Sequence, residues 1–218
     1  SFAKAGMLSK DGRAKAFDDD ADGYVRGEGG AVLLLKPLER ALADGDPIHA
    51  VIRGIGTNHG GRTNSLTVTN PKAQADLIVA VHQGAGIAPD SVDYVEAHGP
   101  GTPLGDPIEI AGLKDAFARL HQAAGTQPQD GRVGIGSVKT NMGHLEGAAG
   151  VAGLAKVLAS LRHGRIPANV GFKRLNRLID LAGTPLRIQT EPSPWPRGDQ
   201  PRRAAVSSFG FGGSNAHV

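Results

Sequence analysis

The sequence predicts an α/β fold with covered sheets, on three observations. Short apolar runs bounded by glycine or proline alternate along the chain with segments whose apolar residues recur at helical spacing. Strands alternating with helices build sheets that helices cover. Glycine supplies 32 of the 218 residues, about twice its ordinary share, so many turns are tight and many backbones closely packed. The length allows one or two domains and a substantial core.

Residues 29–38 (GGAVLLLKPL) form a continuous apolar run ending at proline, the pattern of a fully buried strand. The following ERALADGD is expected to be a short linker or a helix end. Residues 49–61 predict a strand breaking into a glycine-rich turn, and over 70–86 Ala75, Ile78, Val79 and His82 fall at helical spacing. A third strand is predicted at 91–99, and then a Gly-Pro-Gly-Thr-Pro turn that neither helix nor strand tolerates. In Gly105-Asp106-Pro107-Ile108-Glu109, Asp106 reads as N-cap, Pro107 as the first helical residue and Glu109 as the reciprocal capping residue. A fourth strand is expected over 132–139, with Lys139 at its end. The helix of 144–164 ends at Gly164, and the small residues Gly147, Ala148, Ala149, Gly150 and Gly153 imply that its first half is buried against a neighbour. Residues 162–180 read as loop, 184–190 as a short strand, and 202–218 as a strand entering a Gly-Phe-Gly-Gly turn. The one domain boundary falls near 39–48.

Composition excludes several classes. With no cysteine the chain has no disulfide, thiolate metal site or cysteine nucleophile. No apolar run approaches the ~20 residues that span a bilayer, and Ser1 begins no signal pattern, so a soluble protein without membrane association is expected. Net charge is +3, with basic residues concentrated at 162–177 and 196–203; these form a solvated face or a dock for an acidic partner. Nucleic-acid binding is not expected, because basic and aromatic residues do not interleave. Ser207 and Ser208 lack a G-x-S-x-G setting, and VRGEGGAV has the wrong glycine spacing for a dinucleotide site.

Chemistry concentrates at three turns. His98 and His144 both sit just past buried strands, where open α/β sheets place ligands. His98 is pinned between a strand and a rigid turn, so its ring must face a cleft. His144 is read at the N-terminal end of a buried helix, where the dipole favours a neutral ring that donates a hydrogen bond. Lys139 can orient a side chain or hold negative charge nearby. In the third turn, Phe209 and Phe211 flank a glycine and precede Gly212 and Gly213, a combination able to gate an apolar channel. His49, His59, His82, His121, His163 and His217 are expected in structural or surface roles.

At these turns the sequence resembles the β-ketoacyl synthase family, specifically the ketosynthase domains of modular polyketide synthases. The likeness runs along the whole chain through AGMLSKDGRAKAFDDDADGYVRGEGGAVLLLKPLERALADGD, VEAHGPGTPLGDPIEI, GSVKTNMGHLEGAAGVAGLAKVL and SSFGFGGSNAHV. It implies a thiolase-like fold, layered α-β-α-β-α, with residues 1–48 ending the first half and 49–218 forming most of the second. It implies an acyltransferase that performs decarboxylative Claisen condensation, with His98 and His144 as catalytic histidines supported by Lys139. Thr102 matches a contact to the phosphopantetheine arm, Phe211 a gating phenylalanine, and Phe209, Gly212 and Gly213 line the substrate. No tightly bound cofactor is implied, since substrates arrive on the phosphopantetheine arm of an acyl carrier protein. Neighbouring acyltransferase and other synthase domains, a homodimer and a cytoplasmic location complete the expectation. Pro100 stands where the family usually has threonine, which removes one hydroxyl contact. The family's nucleophilic cysteine is expected upstream, leaving these residues inactive alone. Two other readings stay open: a non-elongating, chain-length-factor-like homologue and a ketosynthase of fatty acid synthesis.

Overall fold

The computed structural model describes residues 2–63 and 69–218. In chain order its elements are α1 (Leu38–Asp44), β1 (Gly56–His59), α2 (Pro71–Gly84), β2 (Tyr94–Glu96), α3 (Gly105–Ala124), β3 (Val133–Gly136), α4 (Lys139–Met142), α5 (Ala149–His163), β4 (Arg165–Ile166), β5 (Leu186–Ile188), β6 (Ser193–Pro194), β7 (Ala204–Phe209) and β8 (Ser214–His217). Six strands join in the order β1-β8-β7-β2-β3-β5. The strands β7, β2, β3 and β5 run parallel, while β8 and β1 extend the sheet antiparallel. A separate two-stranded ribbon pairs β4 with β6.

Strand alternation decides which helix each residue meets. Val95 pairs with Ile135 on one side and Ala205 on the other, and these three pack with Ala75 and Ile78 of α2 and Ile110, Leu113 and Phe117 of α3. Tyr94 and Val206 project the other way, against Val157 of α5, Ile166 and Trp195. The sheet is therefore covered on both faces, and its central strands β2 and β3 are buried throughout, without alternation. Each aliphatic side chain fully buried here contributes about 1.5–3 kcal/mol. The helix α2 falls within the 70–86 segment of helical spacing, and Asn70 caps it by accepting the N–H groups of Lys72 and Ala73 ahead of Pro71. The helix α5 stops at Gly164 in the left-handed conformation.

Four expectations need correction. Residues 29–37 form no strand: Val32 and Leu34 are 97% and 96% exposed, and no described strand pairs with the run. An apolar run becomes a strand only where a neighbour supplies hydrogen bonds and cover. The segment read as a linker or helix end is the helix α1, closed by a left-handed Gly45. The strand predicted at 49–61 is confined to β1. Lys139 does not end a strand but opens α4, because β3 stops at Gly136.

Candidate functional site

The parallel strands β2, β3 and β7 end on one edge of the sheet, and the site forms there. His98 lies two residues beyond β2, Lys139 opens α4 just beyond β3, His144 follows α4, and Phe209 closes β7. The imidazoles of His98 and His144 meet edge to face, 5.3 Å between ring centroids and 80° apart. The Phe209 ring is 5.9 Å from that of His98. Lys139 is buried at 4% exposure, and its ammonium donates to the His98 carbonyl oxygen. The three polar residues that stand out in the sequence, His98, Lys139 and His144, thus share one cluster with Phe209.

Backbone hydrogen bonds fix which imidazole nitrogen carries the proton. The Glu146 N–H donates to His144 Nδ1 at 2.9 Å, and the Phe209 N–H approaches His98 Nδ1 at 3.4 Å. With Nδ1 accepting, each neutral ring holds its proton on Nε2 and offers an Nε2–H donor. Both rings stay neutral at physiological pH. Burial, then Lys139, pushes His144 down to about 4; burial, then Lys139 and His144, holds His98 well below the ordinary value. Burial lowers Lys139 as well, opposed by Glu96, Glu109 and Asp106. The helix dipole expected for His144 does not supply this effect, because α5 begins only at Ala149 after a 3-10 turn at Glu146–Ala148. His144 is anchored instead by its neighbours: its N–H donates to Val25 O at 2.6 Å, its carbonyl accepts from Gly27, and its ring meets Tyr24 at 5.4 Å.

The turn after His98 is held by two carboxylates that the sequence assigned elsewhere. Glu109 accepts the N–H groups of His98 and Gly99, each at 2.7 Å. Asp106 accepts from Phe17 at 2.7 Å, Gly101 at 3.1 Å and Thr102 at 3.2 Å. Neither caps α3, which starts at Gly105 without a side-chain cap. Both carboxylates are buried, and burial raises them, Asp106 to about 6 and Glu109 to about 7. Phe17, fully buried at a positive φ of 63°, packs its ring where a Cβ on Gly99 would come within 2.9 Å. Ser137 completes the brace by donating to Gly99 O at 2.8 Å. Sequence reading missed Phe17 and Ser137, for no local pattern marks a residue whose partner lies so far along the chain.

The residues matched to substrate contacts are placed unevenly. Thr102 Oγ1 accepts the Gly105 N–H at 3.2 Å, which leaves its O–H as a donor at the turn. Phe209 is buried beside His98, whereas Phe211 is half-exposed and meets the ring of Phe2 at 6.3 Å. Gly212 O contacts His59 Nε2 at 2.9 Å, and Gly213, at a φ of 93°, passes so close to that ring that a Cβ would lie 3.0 Å away. His59 therefore braces the turn. In the basic 162–177 stretch, Arg174 and Arg177 both pair with Asp19, at 2.7 and 2.9 Å. Those two charges serve the chain's own packing first. Among the described residues no group of three or more His, Asp or Glu could hold a metal ion, and no helix is long and apolar enough to cross a membrane.

A mixed sheet covered by helices, with two neutral imidazoles and a buried lysine at the ends of its parallel strands, places the chain in the thiolase-like fold class. Profiles of known families agree along the chain: "Beta-ketoacyl synthase, C-terminal domain" matches residues 49–173, the N-terminal domain of the same family residues 1–41, and the ketoacyl-synthetase C-terminal extension residues 176–218. The chain belongs to the β-ketoacyl synthase family. It is 50% identical over 224 residues to polyketide synthase PksN of Bacillus subtilis, covering 100% of this chain and 4% of that protein. It is 49% identical over 213 residues to a phenolphthiocerol/phthiocerol polyketide synthase of Mycobacterium tuberculosis, covering 98% of this chain and 13% of that one. Among solved structures, a ketosynthase from module 6 of the bacillaene synthase of Bacillus subtilis superposes with a TM-score of 0.94 at 44% identity, and an oxazolomycin ketosynthase domain of Streptomyces albus with 0.92 at 48%. Each covers all of this chain, which spans 38% of either structure.

Proposed function

We propose that these residues form the decarboxylation site of a polyketide β-ketoacyl synthase, which joins an enzyme-bound acyl chain to a malonyl-type extender by decarboxylative Claisen condensation. One observation carries the reading: two neutral imidazoles meet with both Nδ1 atoms occupied by backbone N–H groups, so both Nε2–H groups remain to donate. When the extender's carboxylate leaves as carbon dioxide, the bonding pair moves into an enolate, and negative charge grows on the thioester oxygen. Two preorganised donors stabilise that oxygen more than they stabilise the starting carbonyl. The enolate carbon then attacks the acyl thioester and expels the thiolate. The chain has no cysteine, so the acylated thiol must come from outside these 218 residues, and on their own they perform no condensation.

In this reading Lys139 holds the His98 backbone and keeps positive charge near both rings, which discourages their protonation. The Thr102 O–H takes a contact on the phosphopantetheine arm, and the Phe209–Gly213 turn lines the acyl entry. An acyl carrier protein delivers substrate, with neighbouring acyltransferase and other synthase domains, within a homodimer. The relatives' names, all polyketide synthases, support the polyketide branch over fatty acid synthesis.

The test is made in the full-length synthase. His98→Ala and His144→Ala should each lower condensation by about 100- to 1,000-fold, the usual cost of losing one oxyanion donor, while acylation of the cysteine persists. Normal elongation in either variant would falsify the assignment.

A further inference from the structure

Beneath Lys139 lies a buried polar cluster that the enolate chemistry leaves unused. Tyr94 and Glu96 stand two apart on β2 and so leave the sheet on the same face, toward α5, which supplies Lys156. Glu96 Oε2 lies 2.7 Å from Lys156 Nζ and accepts the Tyr94 hydroxyl at 2.8 Å. Lys156 also donates to the Tyr94 oxygen at 2.8 Å, which closes a ring of three. The second oxygen, Oε1, accepts the Val138 N–H at 2.5 Å.

Two glycines keep the space for this cluster. A Cβ on Gly136 would stand 2.4 Å from the Tyr94 hydroxyl, and one on Gly153 3.1 Å from Glu96 Cγ. Adhesion between α5 and the sheet does not account for it, because a buried ion pair stabilises little: desolvation offsets most of the attraction, and apolar side chains of like volume often serve as well. What an apolar pair cannot do is accept the Val138 N–H. Val138 precedes α4, Lys139 is the first residue of that helix, and the Lys139 ammonium reaches the His98 carbonyl. A displaced Val138 moves the root of Lys139.

We infer that Glu96, Lys156 and Tyr94 form a positioning unit that fixes Val138 and, through it, the approach of Lys139 to His98. Lys156 and Tyr94 hold one carboxylate oxygen so that the other is presented to the backbone in one orientation. The inference rests on the role proposed above for Lys139. None of the three residues touches substrate in this scheme, so their loss should act on the chemical step and leave carrier binding alone.

The experiment compares variants of the full-length synthase. Glu96→Leu/Lys156→Met removes both charges and the Val138 acceptor together. We expect kcat for condensation to fall at least tenfold, since small misplacements of catalytic groups cost up to about 100-fold, with KM for the carrier-bound extender within about twofold. Glu96→Gln/Lys156→Met returns a carbonyl oxygen to Val138 and should recover most of that rate. A parental kcat in the first variant, alongside a crippled Lys139→Met enzyme, reduces the cluster to packing and overturns the inference. A parental kcat in Lys139→Met shows instead that the role of Lys139 is wrong, and the inference goes with it. Should the double variant fail to fold, Tyr94→Phe removes the bridging hydroxyl alone: about a threefold loss in kcat at unchanged KM is expected, and no loss overturns the proposal.

Discussion

His144 owes its neutrality to burial first and to Lys139 second, and only the second can be removed by a point change. In a variant with Lys139→Met the remaining desolvation still holds the ring below its ordinary value, but the repulsion is gone. Its pKa should therefore rise from about 4 toward the ordinary histidine range, as followed by the imidazole proton shifts in NMR; an unchanged value would disconnect the lysine from the ring. The direction matters for catalysis, because a protonated imidazole has no free Nδ1 for the Glu146 N–H. At this scale the sequence was informative where a residue's chemistry is rare in its setting. His98, His144 and Lys139 stand out next to glycine-rich turns. Glu109 and Asp106 misled, because Asp-Pro-Ile-Glu ahead of an apolar helix is the local pattern of a capped N-terminus. Their actual partners are the N–H groups of the preceding turn and, for Asp106, also Phe17, whose position 89 residues away no local pattern marks.

Elements depend on such side-chain bonds to neighbouring turns more than on their own caps. Asp106 serves three N–H groups from two segments, so Asp106→Asn leaves at least one buried donor unpaired or badly aimed, at a cost of about 1–3 kcal/mol in chemical denaturation. A variant as stable as the parent would show that water replaces the carboxylate. At the seam of α2 and β8, His82 and His217 stack with 5.5 Å between centroids, Nε2 to Nε2 at 3.4 Å, and Ser207 Oγ lies 3.0 Å from His217 Nδ1. That serine and histidine are buried at 3% and 1% exposure, so their contact is structural. Burial pushes His82 down to about 4 and His217 to about 3. The unfolded chain therefore takes up protons below about pH 6.5 that the folded one refuses; stability is full above that pH and is lost as pH falls toward 4. His82→Phe should flatten this acid limb by an amount on the order of 3 kcal/mol, read from unfolding midpoints between about pH 7 and pH 4. An equally steep limb would place the titration elsewhere.

For the molecule as a whole, the strands β2, β3 and β7 were legible because short strand-like runs alternate with segments of helical spacing, and their common edge follows from parallel pairing. The apolar-run signal failed at residues 31–35, since such a run looks alike in sequence whether or not a strand pairs with it. Here Val32, Leu34 and Leu35 face solvent within one short run, and monomeric proteins seldom leave large apolar side chains uncovered side by side. The chain spans 38% of the related ketosynthase structures, and under the function proposed above the rest of the synthase is expected to cover this run. That expectation separates two settings. In the 218-residue chain Leu34→Asp should change unfolding stability by no more than about 0.5 kcal/mol, the range for exposed positions, and should reduce self-association in light scattering. If the full-length synthase covers this run, the same substitution puts a carboxylate in an apolar layer, and the unfolding midpoint of the ketosynthase should fall by several degrees. Equal tolerance in both settings would mean that the run meets water in the intact protein too.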